Sequence, residues 1–149
     1  MSSEHTVVVR EVPIEKAVEV TKTINEFDAP YDQTYFEDRY QGRDRLVIVG
    51  YIDEQPVGYI VGYDRDQDGS FYCWMAAVNP KFRRLGVLTA LMNYENNWAR
   101  AHGYKMLRIK TRNNRREMLA NLVKNGFLFT EVSPQPDVRD NRISLELPF

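Results

Sequence analysis

The stretch from Asn79 to Thr89 contains the residue types in this sequence that are best suited to binding chemistry. It is a short basic turn with a single glycine, Gly86, between an apolar run typical of a buried strand and a long helical pattern. The first N–H groups of a helix have no partners within it, and the helix dipole favours an anion beside them. Arg83 and Arg84 add positive charge there. The turn therefore predicts a phosphate-binding loop. Spacing alone leaves open an ordinary strand–turn–helix connection with solvated arginines.

A second candidate region, from Phe27 to Tyr40, alternates aromatic and acidic residues. The aromatic residues are Phe27, Tyr31, Tyr35, Phe36 and Tyr40, and the acidic ones are Asp28, Asp32, Glu37 and Asp38. Ring faces and carboxylates together can bind an ammonium group. An amphipathic helix with a solvated acidic face explains the same residues without a ligand. Under the first interpretation the predicted ligand-binding residues are Phe27, Asp28, Tyr31 and Glu37.

Three other features resemble functional motifs but favour structural explanations. The segment from Asp64 to Gly69 opens like a calcium-binding loop, yet Met75 occupies the twelfth position, where a bidentate carboxylate is needed. A polar hairpin turn is the better interpretation. Cys73 is the single cysteine, which excludes an intramolecular disulfide, and a small core residue is its simplest role. His102 precedes Gly103 at a predicted helix end. We therefore predict no metal site.

Composition places the chain among soluble globular proteins. The 149 residues are 43% hydrophobic and 28% charged, and they predict one domain over residues 1–149. No apolar run approaches the roughly 20 residues that span a bilayer. The first residues lack the basic and apolar regions of a signal peptide. These observations predict a cytoplasmic protein that does not bind membranes.

The net charge of −1 conceals an asymmetry between the two halves of the chain. Residues 1–75 hold 7 Lys/Arg against 15 Asp/Glu, whereas residues 76–149 hold 13 against 6. A basic half suits an anionic cofactor, and an acidic half suits a cationic acceptor. Folding can also intermix the two halves on one mixed surface, so the asymmetry by itself leaves both explanations open.

Hydrophobic periodicity and turn residues predict seven strands and four helices. The strands are predicted at 6–12, 46–52, 57–63, 71–78, 104–111, 127–132 and 142–147. The helices are predicted at about 14–25, within 33–44, from the central turn to His102, and from Asn114 to Gly126. Asn114 followed by Glu117 predicts a capping box for the last of them. The order is strand, two helices, three strands, helix, strand, helix and two strands.

The central turn resembles the acetyl-coenzyme A loop of the GNAT superfamily of N-acetyltransferases. Arg83 and Gly86 match two fixed positions of the family pattern, while Leu88 departs from the third, which is usually Gly or Ala. The approach "AAVNPKF" and the "NGF" at 125–127 are also similar to the family. Together with the element order, the resemblance implies an α/β (α+β) GNAT fold. In that fold a mixed, mostly antiparallel seven-stranded sheet is flanked by about four helices, and its fourth and fifth strands splay apart.

The resemblance implies acetyl-CoA as co-substrate and assigns residues to it. Backbone N–H groups of Arg84, Leu85, Gly86, Val87, Leu88 and Thr89, beside Arg83, would hold the pyrophosphate. Backbone groups of Ala76 and Val78 would pair with the pantetheine arm. The N–H of Ala76 or Ala77 would polarise the thioester carbonyl. Asn113 or Asn114 would reach the pantetheine.

The same resemblance implies direct attack of an amine on the thioester, but two usual catalytic positions are vacant. Many relatives carry a carboxylate on the fourth strand near the positions of Trp74 and Met75, and a tyrosine where this chain has Leu122. Asp28, Tyr31 and Tyr72 are the remaining candidates for proton transfer, and nothing in their spacing selects one. Trp74 is predicted to contact the acceptor.

Three functions remain open at this stage. The first is an N-acetyltransferase acting on a primary amine of a small molecule or peptide. The second is an acyl-CoA-binding module with weak or no catalysis. The third is a transferase acting on a charged tRNA, which would need a basic acceptor cleft; the acidic first half argues against nucleic acid. A homodimer is also left open.

Overall fold

The computed structural model describes residues 6–24 and 32–149. Its strands are β1 (Val8–Glu11), β2 (Arg45–Ile52), β3 (Gln55–Tyr63), β4 (Ser70–Val78), β5 (Met106–Arg112), β6 (Leu128–Ser133) and β7 (Arg142–Pro148). Its helices are α1 (Ile14–Thr21), α2 (Gln33–Tyr40), α3 (Val87–Ala101) and α4 (Arg116–Lys124), with short 3₁₀ turns at Pro80–Phe82 and Val138–Asp140. Within the described ranges, the order of elements is the predicted one.

The strands form one sheet in the order β1-β2-β3-β4-β5-β7-β6. Neighbouring strands are antiparallel except β4 and β5, which are parallel because α3 crosses between them. Their pairing joins only Ser70–Cys73 to Met106–Ile109, although both strands continue beyond it. The mixed sheet and the splay between its fourth and fifth strands are therefore confirmed.

Helices cover both faces of the sheet. On one face, α3 and α4 bury residues such as Phe71, Leu91 and Leu107. On the other face, α1 and α2 cover Tyr59 of β3, and both Tyr59 and Phe36 of α2 are fully buried. This second layer lies against β2, β3 and β4, whereas the same face of β5, β7 and β6 has no helix packed on it among the described residues. On the α1/α2 face, the half of the sheet formed by β5, β7 and β6 is thus not covered by a helix among the described residues.

Two predicted helix boundaries are wrong. The first helix ends at Thr21, before Asn25, and Thr21 and Thr23 each bond their hydroxyl to a main-chain carbonyl three residues earlier, at 2.7 Å. Such bonds compete with continued helix. The last helix begins at Arg116, and its N-cap, Arg115, makes no side-chain capping bond. The Asn114 capping box is therefore absent.

The acidic turn after β3 is the predicted polar hairpin. Asp64 accepts a hydrogen bond from the N–H of Gln67 at 3.0 Å, which closes the turn on itself. Asp66 and Asp68 pair with Arg108 of β5 at 3.1 and 2.7 Å. These carboxylates thus join the turn to the neighbouring strand.

No helix in the described part of the chain combines the length and apolar character that a membrane span requires.

Candidate active site

A cleft of about 1250 Å³ occupies the gap where β4 and β5 separate. Its walls are Tyr72–Val78 of β4 and Ile109–Arg112 of β5, and the starts of α3 and α4 close one end. The remaining lining residues are Phe82, Arg83, Arg84, Gly86, Val87, Leu88, Thr89, Asn114, Arg115, Arg116, Glu117, Met118, Ala120, Asn121, Lys124 and Arg142. The phosphate-binding loop predicted from sequence therefore lies at the mouth of this cleft.

The start of α3 presents open amide groups to the cleft. Its first intrahelical bond runs from the N–H of Ala90 to the carbonyl of Gly86 at 3.0 Å. The amides of Val87, Leu88 and Thr89 precede that bond, and the N-cap supplies no side-chain bond to them. With the helix dipole behind them, these amides form a site for an anion.

Gly86 owes its place in the loop to backbone conformation. Its φ is 83°, in the left-handed region, and a Cβ added there would meet nothing within 4 Å. Arg84 is also left-handed, with a φ of 64°. Two left-handed residues so close together turn the chain sharply into α3, which an L side chain at Gly86 would oppose through strain.

Two side-chain contacts join the loop to α4. Arg84 Nη2 donates to Glu117 Oε1 at 3.1 Å, and Asn121 Nδ2 donates to Thr89 Oγ1 at 3.3 Å. Leu88, the departure from the family pattern, is half-buried and packs partly against the core, so part of its bulk is turned away from the cleft. Both helix starts therefore border the same mouth.

The free edge of β4 directs main-chain groups into the gap. The N–H of Asn79 donates to the carbonyl of Val57 on β3 at 2.8 Å. Because successive residues of a strand point their main-chain groups to opposite sides, those of Val78 and Ala76 face away from β3, and Ala77 faces towards it. Ala76 and Val78 thus offer a row of donors and acceptors along the cleft.

A β-bulge at Trp74 sets which side chains face the open half of the sheet. Met75 pairs with Val61 and Cys73 pairs with Gly62, so Trp74 is the extra residue. As a result Trp74 and Met75 both pack on the α1/α2 face, where strict alternation would have separated them. Both are half-buried and line the cleft.

The two asparagines predicted to reach the cofactor have different surroundings. Asn114 lines the cleft. Asn113 instead donates its side-chain amide to the carbonyl of Val138 at 3.1 Å and accepts from Arg116 at 2.8 Å. Its side chain thus joins the start of α4 to the loop before β7.

An aromatic cluster on the α1/α2 face packs around Trp74, which forms an aromatic wall of the cleft. Trp74 contacts Tyr35, Phe36 and Tyr63, with ring centroids 5.2–5.6 Å apart. The guanidinium of Arg39 lies 5.2 Å from the Trp74 ring. The predicted acceptor residues Phe27, Asp28 and Tyr31 fall outside the described residues.

Glu37, the fourth predicted acceptor residue, is exposed on α2 and accepts a hydrogen bond from Gln33. Tyr72, a candidate for proton transfer, is buried beneath Arg65, whose guanidinium lies 3.9 Å from its ring. Burial raises the pKa of Tyr72, so at neutral pH it is an uncharged phenol that can donate a proton but cannot act as a base. Leu122 is fully buried in the α3/α4 core and does not line the cleft.

A buried carboxyl beneath β4 was missed by sequence reasoning. Glu95 of α3 is fully buried, and among the described residues its carboxyl oxygens have no partner except the weak thiol donor of Cys73. It faces Gly62 and the thiol of Cys73, at the last paired residue before the splay. Burial raises its pKa to about 7. Its spacing from Leu91 and Ala99, four residues on either side, was the signal for its buried position.

The cleft is strongly basic. Of its described lining residues, eight are Lys or Arg and one, Glu117, is acidic. Lys110, Arg112 and Arg142 were not predicted as site residues, although Arg108, Lys110 and Arg112 alternate along β5 and so had to share one face. Within the described residues, no group of three His, Cys, Asp or Glu side chains is placed to hold a metal ion.

Comparison with known proteins identifies the family. The sequence pattern of the "Acetyltransferase (GNAT) family" matches residues 15–127. No curated protein sequence matches the chain.

Solved structures share the fold. The ribosomal-protein-S18-alanine N-acetyltransferase from Escherichia coli has a TM-score of 0.78 at 17% identity, covering 96% of this chain and 94% of its own. Arabidopsis thaliana Naa50, in complex with the bisubstrate analogue CoA-Ac-MVNAL, has a TM-score of 0.77 at 15% identity, covering 96% and 99%. A GNAT family acetyltransferase from Elizabethkingia anophelis with acetyl-CoA bound has a TM-score of 0.71 at 16% identity, covering 99% and 100%. With its family match spanning well over half of the sequence, this chain belongs to the GNAT acetyltransferase family.

Proposed function

We propose that this protein is an acetyl-CoA-dependent N-acetyltransferase that transfers the acetyl group directly to a primary amine of a small molecule or peptide. The observation that carries the proposal is the open N-terminus of α3 at the mouth of the gap between β4 and β5. The similar structures containing acetyl-CoA or a CoA-based bisubstrate analogue support the choice of cofactor.

In this proposal different residues of the cleft bind different parts of the cofactor. The amides at the start of α3, with Arg83 and Arg84, bind the pyrophosphate. The main-chain groups of Ala76 and Val78, which point into the gap, pair with the pantetheine arm. The N–H of Ala76 then donates to the thioester carbonyl as negative charge develops on its oxygen. Alternation along β4 favours Ala76 over Ala77 for this donor.

Transfer requires a neutral amine. The nitrogen lone pair forms the bond to the thioester carbon, the C–S bond breaks, the amine loses a proton and the CoA thiolate gains one. For a lysine-like amine, deprotonation at pH 7 costs about 4.6 kcal/mol. We propose that water accepts the amine proton, because no carboxylate of the described β4 residues lines the cleft and Tyr72 is protonated. The other two candidates, Asp28 and Tyr31, lie outside the described residues. Positioning and the Ala76 donor would supply most of the rate enhancement.

Two other functions remain as alternatives. An acyl-CoA-binding module with weak or no catalysis is favoured by Leu122 and by the absence of an acidic side chain on the described β4 wall. A transferase acting on a charged tRNA is favoured by the basic cleft and disfavoured by the acidic first half of the chain. Steep salt dependence of RNA binding would single out the latter. A cytoplasmic location and a homodimer stay predictions.

Two measurements test the proposal. Acetyl-CoA should raise the melting temperature, and adenosine, which lacks phosphates, should do so far less. Release of free CoA thiol should then depend on an added amine, across a panel of amines, amino acids, aminoglycosides and peptides. Binding without amine-dependent thiol release would favour the binding module. No thermal shift at millimolar acetyl-CoA would contradict the assignment of the cleft.

A further inference from the structure

Three cationic side chains at neighbouring positions of two paired strands line the β5 side of the cleft. Arg112 of β5 pairs directly with Arg142 of β7, and Lys110 pairs with Ser144, two residues further along the same strand. Cross-strand partners share a face of the sheet, so Lys110, Arg112 and Arg142 lie on one face. All three are exposed and line the cleft.

That face is the one opposite to α3 and α4. Leu107 and Ile109 of β5 are buried in the α3/α4 core, so the alternate residues Lys110 and Arg112 point to the other side. Trp74 packs on this same side across the gap. The cations and the aromatic wall therefore face each other across the open side of the cleft.

The three cations are uncompensated. Arg108, on the same strand and face, is paired with Asp66, Asp68 and Glu146. In contrast, none of the ion pairs within residues 6–24 and 32–149 includes Lys110, Arg112 or Arg142. Like charges directly opposite each other on a sheet are destabilising.

The position of the group separates it from the phosphates of the cofactor. In the proposed function the pyrophosphate lies at the start of α3, beside Arg83 and Arg84, on the α3/α4 side. The thioester occupies the gap itself, so the acceptor must approach from the remaining, open side. Lys110, Arg112 and Arg142 are on that side and can contact the acceptor.

We propose that the acceptor carries an anionic group, a carboxylate or a phosphate, close to its amine, and that Lys110, Arg112 and Arg142 bind this group. The inference rests on the proposed function and narrows its substrate class. Arginine binds carboxylate and phosphate through two parallel hydrogen bonds, so the facing pair Arg112 and Arg142 suits either anion. The aromatic wall at Trp74 would then contact the apolar part of the acceptor.

Matched acceptors test the proposal. Each pair has the same amine with and without the anion: alanine and alaninamide, tyrosine and tyramine, phosphoethanolamine and ethanolamine, and a peptide with an acidic or an amide side chain at its second residue. At saturating acetyl-CoA, and with kcat/KM expressed per neutral amine because the anion also changes the pKa of the amine, we expect it to be about tenfold or more higher for the anionic member of at least one pair, as for other hydrogen bonds to charged groups. The pair with the largest ratio of kcat/KM values shows whether the anion is a carboxylate or a phosphate, and in which kind of acceptor it occurs.

Variants then connect the preference to the residues. Arg112→Gln and Arg142→Gln should each raise KM for the anionic acceptor about tenfold and change its kcat much less. KM for the uncharged member of the same pair should also change much less. Neither variant should have a lower melting temperature, because each removes a like-charge contact. Arg100→Gln is the matched control, since Arg100 is exposed at the end of α3 and outside the cleft.

Several outcomes would overturn the inference without touching the proposed function. These are equal kcat/KM within every pair, no turnover of any anionic member, or an unchanged preference in both variants. A weaker Kd for acetyl-CoA in Arg112→Gln, with unchanged acceptor KM, would assign the cations to the cofactor instead. Absence of acetyl-CoA binding by the unmodified protein would refute the proposed function, and the inference would fall with it.

Discussion

Arg84 and Glu117 join the two helix starts that border the cleft, with Arg84 Nη2 and Glu117 Oε1 3.1 Å apart. Both side chains are largely exposed, so the pair adds little to stability. Its position gives it another consequence. Among the described lining residues Glu117 is the one acidic side chain, and it pairs with the guanidinium that in the proposed function faces a phosphate. If Arg84 binds the pyrophosphate as proposed, Glu117 competes with it for the guanidinium.

Glu117→Gln should strengthen acetyl-CoA binding, lowering Kd by about two- to fivefold, the range expected for an exposed ion pair. Arg84→Gln should act in the opposite direction. Isothermal titration calorimetry measures both, and Glu131→Gln, at an exposed position on β6, controls for the change in net charge. Weaker binding in Glu117→Gln would mean that the pair holds Arg84 in its binding position.

Gly86→Ala should reduce both stability and acetyl-CoA affinity. The added methyl group meets no neighbour, so its effect is the strain of a left-handed alanine, about 1–2 kcal/mol. Gly103→Ala is the matched control, because Gly103 has a φ of 84°, has equally open surroundings and lies outside the cleft. Both variants should lower the melting temperature, but only Gly86→Ala should raise the Kd for acetyl-CoA. Equal Kd values would separate the loop from the cofactor.

Glu95→Gln should make stability less sensitive to pH. Burial raises the folded pKa of Glu95 from 4.5 to about 7, so the folded state favours the protonated form. The contribution of Glu95 to the free energy of unfolding is therefore fully present below pH 4.5. It declines between pH 4.5 and about 7 and is lost above pH 7. The loss amounts to about 3 kcal/mol. Glutamine cannot ionise and escapes it.

Urea unfolding at pH 5 and pH 8 measures this effect. The stability difference between Glu95→Gln and the unmodified protein should be about 2–3 kcal/mol more favourable to the variant at pH 8 than at pH 5. Comparing two pH values cancels any change in packing. Glu131→Gln should show no such difference. A pH-independent effect of Glu95→Gln would mean that the carboxyl stays protonated at pH 8 or is solvated.

The sequence was sufficient for the features that depend on local chemistry. The loop at Arg83–Gly86 could be predicted because a glycine and a helix start have the same consequences in any fold. The capping box of α4 could not, because its Glu117 side chain bonds instead to Arg84, 33 residues earlier, and the helix begins after Arg115. Long-range contacts of this kind are invisible to local pattern.

The remaining site features depend on strand register and on the burial of a residue whose type is normally exposed. Alternation along β5 showed that Lys110 and Arg112 share a face, but only the pairing with β7 places Arg142 opposite Arg112. Glu95 occupies a core position of α3, where its charge conceals its burial. Periodicity identified the helix correctly, yet a charged residue is normally assigned to the solvated face.

The pH dependence of the reaction separates water-assisted transfer from side-chain catalysis. If water accepts the amine proton, kcat/KM should rise steadily from pH 6 towards the pKa of the acceptor amine. Tyr72→Phe should leave the shape of this profile unchanged, because Tyr72 is protonated throughout the neutral range. Glu95→Gln should leave it unchanged as well, since Glu95 is fully buried behind Cys73.

Steady-state rates at saturating acetyl-CoA between pH 6 and 9 measure the three profiles, with stability monitored at each pH. General acid–base catalysis by a side chain typically contributes about 10²–10⁴-fold, so its loss would be obvious. An inflection near pH 7 that disappears in Glu95→Gln would contradict water-assisted transfer. It would identify ionisation of Glu95, the one described acid whose pKa burial raises to about 7, as the event that controls the rate.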